Sequence, residues 1–303
     1  MLIDKSIEKN ISKMKKAIDD DIANRLNKEI LPTGIIKETY NYANDKQEMH
    51  EMNVFLPNNK EDSLPTIIDI HGGAWLSGDK ELNRNFCMHL AKYGYCTISM
   101  SYRLCATNHI EDEVKDIITC YSYIVKHHKK LHVDLDNIYL TGDSAGGMLA
   151  LLTYATNNND DLATGFKVEK APIRIKAITV NHPVAYMHDI QLTKNKLLNK
   201  ITLDILIKKI AGKKKSFSAK NFSFENYKDK VDFPPILIIT SAGDEAFSPQ
   251  SKKLFEDLKS KNSKVVLDFK EDKSLQHVFN VSYPDTKDGK ETNKRIIDFF
   301  KQY

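Results

Sequence analysis

Ile3, Ile7, Ile11, Met14, Ile18, Ile22 and Leu26 recur at spacings of three and four, with Lys, Glu and Asp between them. That is one apolar stripe along a helix of 3.6 residues per turn. It predicts a helix packed on the domain or over its active site, in preference to one lying on a membrane surface. The period then changes. Ile35 to Tyr42 and Met49 to Leu56 predict two strands around Asn44-Asp45, a hairpin at a sheet edge. Further along, strands are predicted at Pro65 to Ile70, Tyr95 to Met100, Asn137 to Leu140, Ile173 to Val180, Ile236 to Thr240 and Lys264 to Phe269. Helices are predicted at Ile110 to His127, Met148 to Ala155, Ser248 to Lys259 and Thr292 to Lys301. Such alternation implies a mainly parallel sheet with helices on both faces. In that class the chemistry gathers at the carboxyl ends of the strands.

One segment breaks the rhythm. From Val184 to Phe233 no strand is predicted. Leu197-Leu198, Ile201, Ile205-Leu206 and Ile210 carry a helical period that Gly212 ends, and Phe217, Phe222, Phe224 and Tyr227 punctuate a polar stretch after it. An excursion this long inside a compact domain predicts a lid or a substrate wall. The expected layout is one domain over residues 1–303, with a helical cap built from 1–34 and the insertion 184–233.

Composition narrows the classes. The 303 residues suffice for one large α/β domain. The formal net charge is only +4 and the lysines are scattered, so nothing points to nucleic acid. The densest cluster, Lys213-Lys214-Lys215, fits a solvated loop. Cys87, Cys96, Cys105 and Cys120 have no metal-type spacing and fall among core segments. They are expected to be reduced, which suggests a cytoplasmic protein. Charges begin at the fourth residue and no apolar h-region follows, so no signal peptide is expected. No run approaches the roughly 20 apolar residues of a membrane span.

Candidate chemistry sits where strands run into glycines. Thr141-Gly142-Asp143-Ser144-Ala145-Gly146-Gly147 lies between a predicted strand and a predicted helix. A serine there stands proud of the sheet at a helix N-terminus, which favours developing negative charge. His71-Gly72-Gly73-Ala74-Trp75 ends an earlier strand. The amides of Gly72 and Gly73, with that of Ala145, would hold the oxyanion formed when Ser144 attacks a carbonyl. A serine hydroxyl also needs a base, and the base an orienting acid. In an elbow of this type the acid follows the serine and the histidine comes last. Asp244 and Glu245 both stand after the Ile236 to Thr240 strand, and His277 is the one histidine beyond them. His127, His128 and His132 cluster at a helix end without a supporting carboxylate or cysteine, so no metal site is assigned. His182 follows the Ile173 to Val180 strand and is expected to border the pocket.

These motifs, with Gly78-Asp79-Lys80 and Tyr102-Arg103-Leu104, resemble the hormone-sensitive-lipase-like esterases of the α/β-hydrolase superfamily. The resemblance runs from about Thr66 to the C-terminus. Two departures stand out: Ala74 replaces the usual third glycine, and Cys105-Ala106-Thr107 replaces the usual Ala-Pro. The resemblance implies a serine carboxylesterase acting on short acyl esters of small molecules, with Ser144, Asp244 and His277 as triad, and it places Asp244 ahead of Glu245. It implies a cap partly made of N-terminal helices, no cofactor, and Asp143 as a brace for surrounding loops. His71 is expected to stabilise the oxyanion turn by hydrogen bonding. The partners expected are a small-molecule ester and no nucleic acid or stable membrane insertion; a homodimer stays open. An arylformamidase or amidase of the same fold is the alternative. A non-catalytic small-molecule receptor is the other, and the presence of His277 argues against it.

Overall fold

The computed structural model describes residues 2–58, 61–187, 207–212, 216–261 and 264–303. Eight strands form one sheet: β1 (Ile35–Asn41), β2 (Glu51–Pro57), β3 (Leu64–Ile70), β4 (Cys96–Met100), β5 (Val133–Asp143), β6 (Ile175–Asn181), β7 (Ile236–Ser241) and β8 (Val265–Lys270). Their order is β1-β2-β4-β3-β5-β6-β7-β8. β2 runs antiparallel to both β1 and β4, and the pairs from β4 to β8 are parallel. This is the α/β-hydrolase arrangement.

The central strands are apolar on both sides because both sides are covered. On β3, Ile68 and Ile70 join one core while Ile67 joins the other. On β7, Ile236 and Ile238 face one way and Leu237 and Ile239 the other. Alternate side chains point to opposite faces, so a continuous apolar run here marks a strand roofed twice. One roof is α2 (Arg84–Ala91) with the C-terminal helix Lys287–Phe300. The other includes α3 (Ile110–Lys126), α4 (Ala145–Asn157), α5 (Asp160–Phe166) and the helix Ser248–Lys259.

From β3 the chain crosses to β4 on one side and then to β5 on the other. The sheet therefore opens a crevice at the carboxyl ends of β3 and β5, the usual place for a ligand in such sheets. The two glycine motifs lie there.

The N-terminal stripe forms α1 (Leu2–Leu26). Ile11 and Met14 are buried and Ile18 packs against the core; the side chains of Ile3 and Ile7 lie outside the described residues. The end of α1 is pinned. Arg25 donates to the Leu82 carbonyl at 2.8 Å, and Arg84 donates to the Leu26 carbonyl at 3.1 Å and to Glu29 at 3.0 Å. Cations suit a helix C-terminus, where carbonyls lack partners. Of the insertion, the helical period over Leu197 to Leu206 lies outside the described residues. Residues 207–211 are helical. Phe222, Phe224 and Tyr227 are fully buried in the main core.

Some elements differ from the sequence reading: α4 starts at Ala145 and the C-terminal helix at Lys287, ahead of the predicted Met148 and Thr292. β5 begins at Val133, four residues before the predicted Asn137, because Val133 pairs with Leu64 ahead of a register shift. α2 and α5 were not predicted. α2 has only eight residues and buries Asn85 beside Phe86, Cys87 and Leu90, which blurs its apolar period.

Candidate active site

The turn at Ser144 follows from its neighbours. β5 runs into α4 with one residue between them, and that residue, Ser144, has φ 52° and ψ −118°. Such a backbone is costly for a residue with a β-carbon, so the surroundings must enforce it. A β-carbon on Gly142 would lie 2.5 Å from the Gly146 carbonyl oxygen, and one on Gly146 would lie 2.0 Å from the Ile70 carbonyl oxygen. Only glycine lets β5, α4 and the end of β3 approach this closely. The Ser144 N–H is donated to the Asn181 carbonyl at 2.9 Å, tying the turn to β6.

Three side chains from three strand ends meet there. His277 Nε2 lies 2.9 Å from Ser144 Oγ, and His277 Nδ1 lies 2.7 Å from Asp244 Oδ2. Asp244 is buried at the end of β7, while the rival Glu245 is exposed. The acid and histidine loops are stitched together by Ser241 Oγ donating to the Leu275 carbonyl at 2.6 Å. The Phe247 ring packs on His277 with centroids 4.9 Å apart. Burial alone would raise the Asp244 carboxyl, but the hydrogen bonds it accepts from His182 and His277 outweigh it and hold the group well below the usual carboxylate range. An anion at Asp244 fixes the proton of His277 on Nδ1 and leaves Nε2 free to accept from the serine.

The glycine turn after β3 is braced from below. His71 donates from Nδ1 to the Gly72 carbonyl at 2.7 Å. Tyr102 stacks on the imidazole at 4.3 Å and donates to the His71 carbonyl at 2.6 Å. Burial lowers the His71 pKa, so the ring stays a neutral donor. Asp143 accepts from the Gly72 N–H at 3.0 Å and from Asn83 Nδ2 at 2.7 Å. Asn83 also donates to Asp69 at 3.1 Å. Asp143 and His71 thus brace the loops in the expected way. The same bond corrects the assignment of Gly72 as an oxyanion donor: its N–H is already spent on Asp143. Gly73 and Ala74 line the cavity, and no backbone bond from their N–H groups is found among the described residues; Ala145 is the first residue of α4, whose N–H the helix does not use. Ala74 takes the place of a glycine at φ 55°, and Trp75 follows at φ 61°.

A cavity of about 330 Å³ opens over Ser144 and His277. Its floor is Gly73, Ala74, Trp75, Asn83 and Asp143; α1 supplies Met14, Ile18, Ile22, Asp21 and Arg25; Val184, Phe247 and Val278 close the sides. From the insertion only Val184 reaches it among the described residues. His182 does not border this cavity, contrary to expectation. It is fully buried behind the acid, with Nδ1 2.7 Å from Asp244 Oδ2. Sequence reasoning also passed over Asn83. The available signal was position: His182 directly follows β6, at the same sheet edge as the other site residues.

Among the described residues, His182, Asp244 and His277 are also the group with metal-ligand spacing. Both ring nitrogens stand at hydrogen-bond distance from the carboxylate, which accounts for the cluster. His128 and His132 instead bond the Val125 and Glu61 carbonyls at 2.9 and 3.0 Å. All four cysteines are free and buried. No described helix is long and apolar enough to cross a membrane.

Comparison with known proteins agrees with this geometry. The BD-FAE family model matches residues 52–258. The chain is 25% identical over 227 residues to a probable carboxylic ester hydrolase, LipM, of Mycobacterium tuberculosis, covering 72% of this chain and 50% of that protein. It is 23% identical to probable carboxylesterase 5 of Arabidopsis thaliana, covering 78% and 77%. The chain thus spans half the length of the first of these relatives. Among solved structures, esterase B of Lactobacillus rhamnosis is similar with a TM-score of 0.94 at 25% identity, over 100% of this chain and 96% of that one. The same enzyme inhibited by a tributyrin phosphonate gives 0.91 at 25% identity, over 98% and 95%.

Proposed function

The chain belongs to the BD-FAE family, and from that premise we propose that it is a serine carboxylesterase that cleaves short acyl esters of small molecules. The observation that carries this reading is the line Ser144 Oγ, His277, Asp244, joined at 2.9 and 2.7 Å. Ser144 attacks the ester carbonyl while His277 Nε2 takes its proton. Asp244 holds the ring and stabilises the imidazolium. The carbonyl oxygen becomes an anion beside the amides of Gly73, Ala74 and Ala145, and the α4 dipole adds to their effect. His277 then protonates the departing alcohol. Water, deprotonated by the same nitrogen, releases the acid from the acyl-serine.

The cavity supports the short-chain preference. Its volume of about 330 Å³ sits at the low end of the roughly 300–1,000 Å³ typical of ligand pockets. In this reading α1 is the cap. Met14, Ile18 and Ile22 exclude water, which strengthens the oxyanion hydrogen bonds, and they limit acyl length.

An ester panel tests this. Hydrolysis of p-nitrophenyl acetate and butyrate, falling steeply toward palmitate, with N-formylkynurenine far behind, is the expected result. Preference for the formamide would move the assignment to an arylformamidase. No turnover of any ester or amide would favour a binding protein.

A further inference from the structure

His182 plays no part in the steps above, yet both its backbone and its ring are fixed in place. It follows β6 directly and its side chain is wholly buried. Its own N–H is donated to the Ile239 carbonyl at 2.7 Å, and its φ of 50° lies in the left-handed region that a β-carbon disfavours. Backbone and ring are both committed to this place.

The ring is aimed at the acid. Nδ1 lies 2.7 Å from Asp244 Oδ2, the same oxygen that takes His277 Nδ1 at 2.7 Å. A carboxylate oxygen offers two lone pairs. The two imidazole planes stand at 84° with centroids 5.5 Å apart, so each donor approaches from its own side. Among the described residues the other hydrogen bond to this carboxylate is a long one, from the Phe247 N–H to Oδ1 at 3.3 Å. His182 is therefore the strongest donor to Asp244 apart from the base itself.

The acceptor is an anion, so the proton of His182 sits on Nδ1. Nε2 is then a bare acceptor, and it is buried with no donor among the described residues. A second proton would place an N–H in that closed space, and burial lowers the pKa of this ring. The groups facing it are Asp244 after β7, His277 after β8, Asp143 at the end of β5 and, edge-on, the Phe279 ring at 5.8 Å.

We propose that His182 is a positioning residue for the triad acid, a neutral donor that fixes the Asp244 carboxylate and draws off part of its charge. His277 is thereby held in line without becoming too basic to work near neutral pH. This rests on the triad reading above.

The experiment compares pH profiles of kcat/KM for p-nitrophenyl butyrate in the unaltered protein, H182F and H182N. Asparagine Nδ2 reaches the place of histidine Nδ1, so H182N keeps the donor and H182F loses it. Without the donor the carboxylate holds the imidazolium more strongly. The acid limb of H182F should move up by about one pH unit and its plateau kcat should fall about tenfold. H182N should return the limb to its original place. A role in packing alone would lower the plateau and leave the limb where it is. An unmoved limb in H182F, or H182N shifted as far as H182F, overturns the proposal. Nitrogen NMR of the histidine-labelled, unaltered protein gives a second reading that needs no variant to be active. A neutral, Nδ1-protonated His182 from about pH 5 to about pH 9 is expected; an Nε2-protonated or titrating ring overturns the proposal. Phosphonate labelling of Ser144 reports on the triad separately. A wrong tautomer with labelling intact would be the failure of this proposal, and absent labelling the failure of the triad.

Discussion

The sheet edge and the α1 wall border the same cavity but are built by different means. At the sheet edge the backbone decides. Ser144 sits at φ 52° because Gly142 and Gly146 let three elements come within contact of one another. The turn opposite is tied by His71, Tyr102, Asn83 and Asp143. On α1 the side chains decide. Met14, Ile18 and Ile22 reach the cavity from one face of a helix whose other face carries Lys15–Asp19 and Lys16–Asp20 pairs. Any apolar residue of suitable size can stand on such a stripe. Changes at the sheet edge should therefore alter the chemical step, and changes on α1 the range of substrates.

The largest effect that sharpens this contrast is at the acid. Asp244→Asn should lower kcat by about 10⁴, the cost of presenting the wrong tautomer to the serine. Glu245→Gln, one residue along but exposed, should stay within about twofold. The reverse ranking would move the acid to Glu245.

A smaller effect is expected on the wall. Ile18→Trp should reduce kcat/KM for hexanoate esters about tenfold relative to acetate, since pockets discriminate a methylene by that order. The kcat for acetate should hardly change. A uniform loss on every ester would mean that α1 supports the chemistry and the two regions are not separable.

The smallest effect concerns stability. Burial, with the Asp143 charge nearby, pushes the Asp69 carboxyl well up. The folded chain keeps this proton after the unfolded chain has released its own near pH 4. Folded protein then binds more protons, so stability falls as pH rises above that point. Asp69→Asn removes the loss. The Tm advantage of the variant should grow between pH 5 and pH 8, on the order of 2 °C, in thermal melts. An offset independent of pH would contradict the raised carboxyl.

Much of this was legible in the chain. Strands β3 and β7 announce themselves because a doubly covered strand is apolar on both faces. Ser144, Asp244 and His277 are legible because the fold dictates their order and each follows a strand. Gly72 was misread because an amide's direction depends on a carboxylate 71 residues away, at Asp143. His182 was misplaced at the pocket rim and Asn83 was missed for the same reason: their partners, Asp244 and Asp143, lie 62 and 60 residues along the chain. Spacing records what one segment needs, whereas these contacts exist only after several segments have met.

The most direct test is at the serine. The unaltered protein is treated with a fluorophosphonate, digested and mapped by mass spectrometry, and Ser144→Ala is assayed beside it on p-nitrophenyl butyrate. The expected result is a single adduct on the peptide carrying Ser144, and a fall in kcat of about 10⁶ in the variant with its melting curve intact. An adduct on another serine, or turnover that survives in Ser144→Ala, would contradict the assignment of Ser144 as the nucleophile.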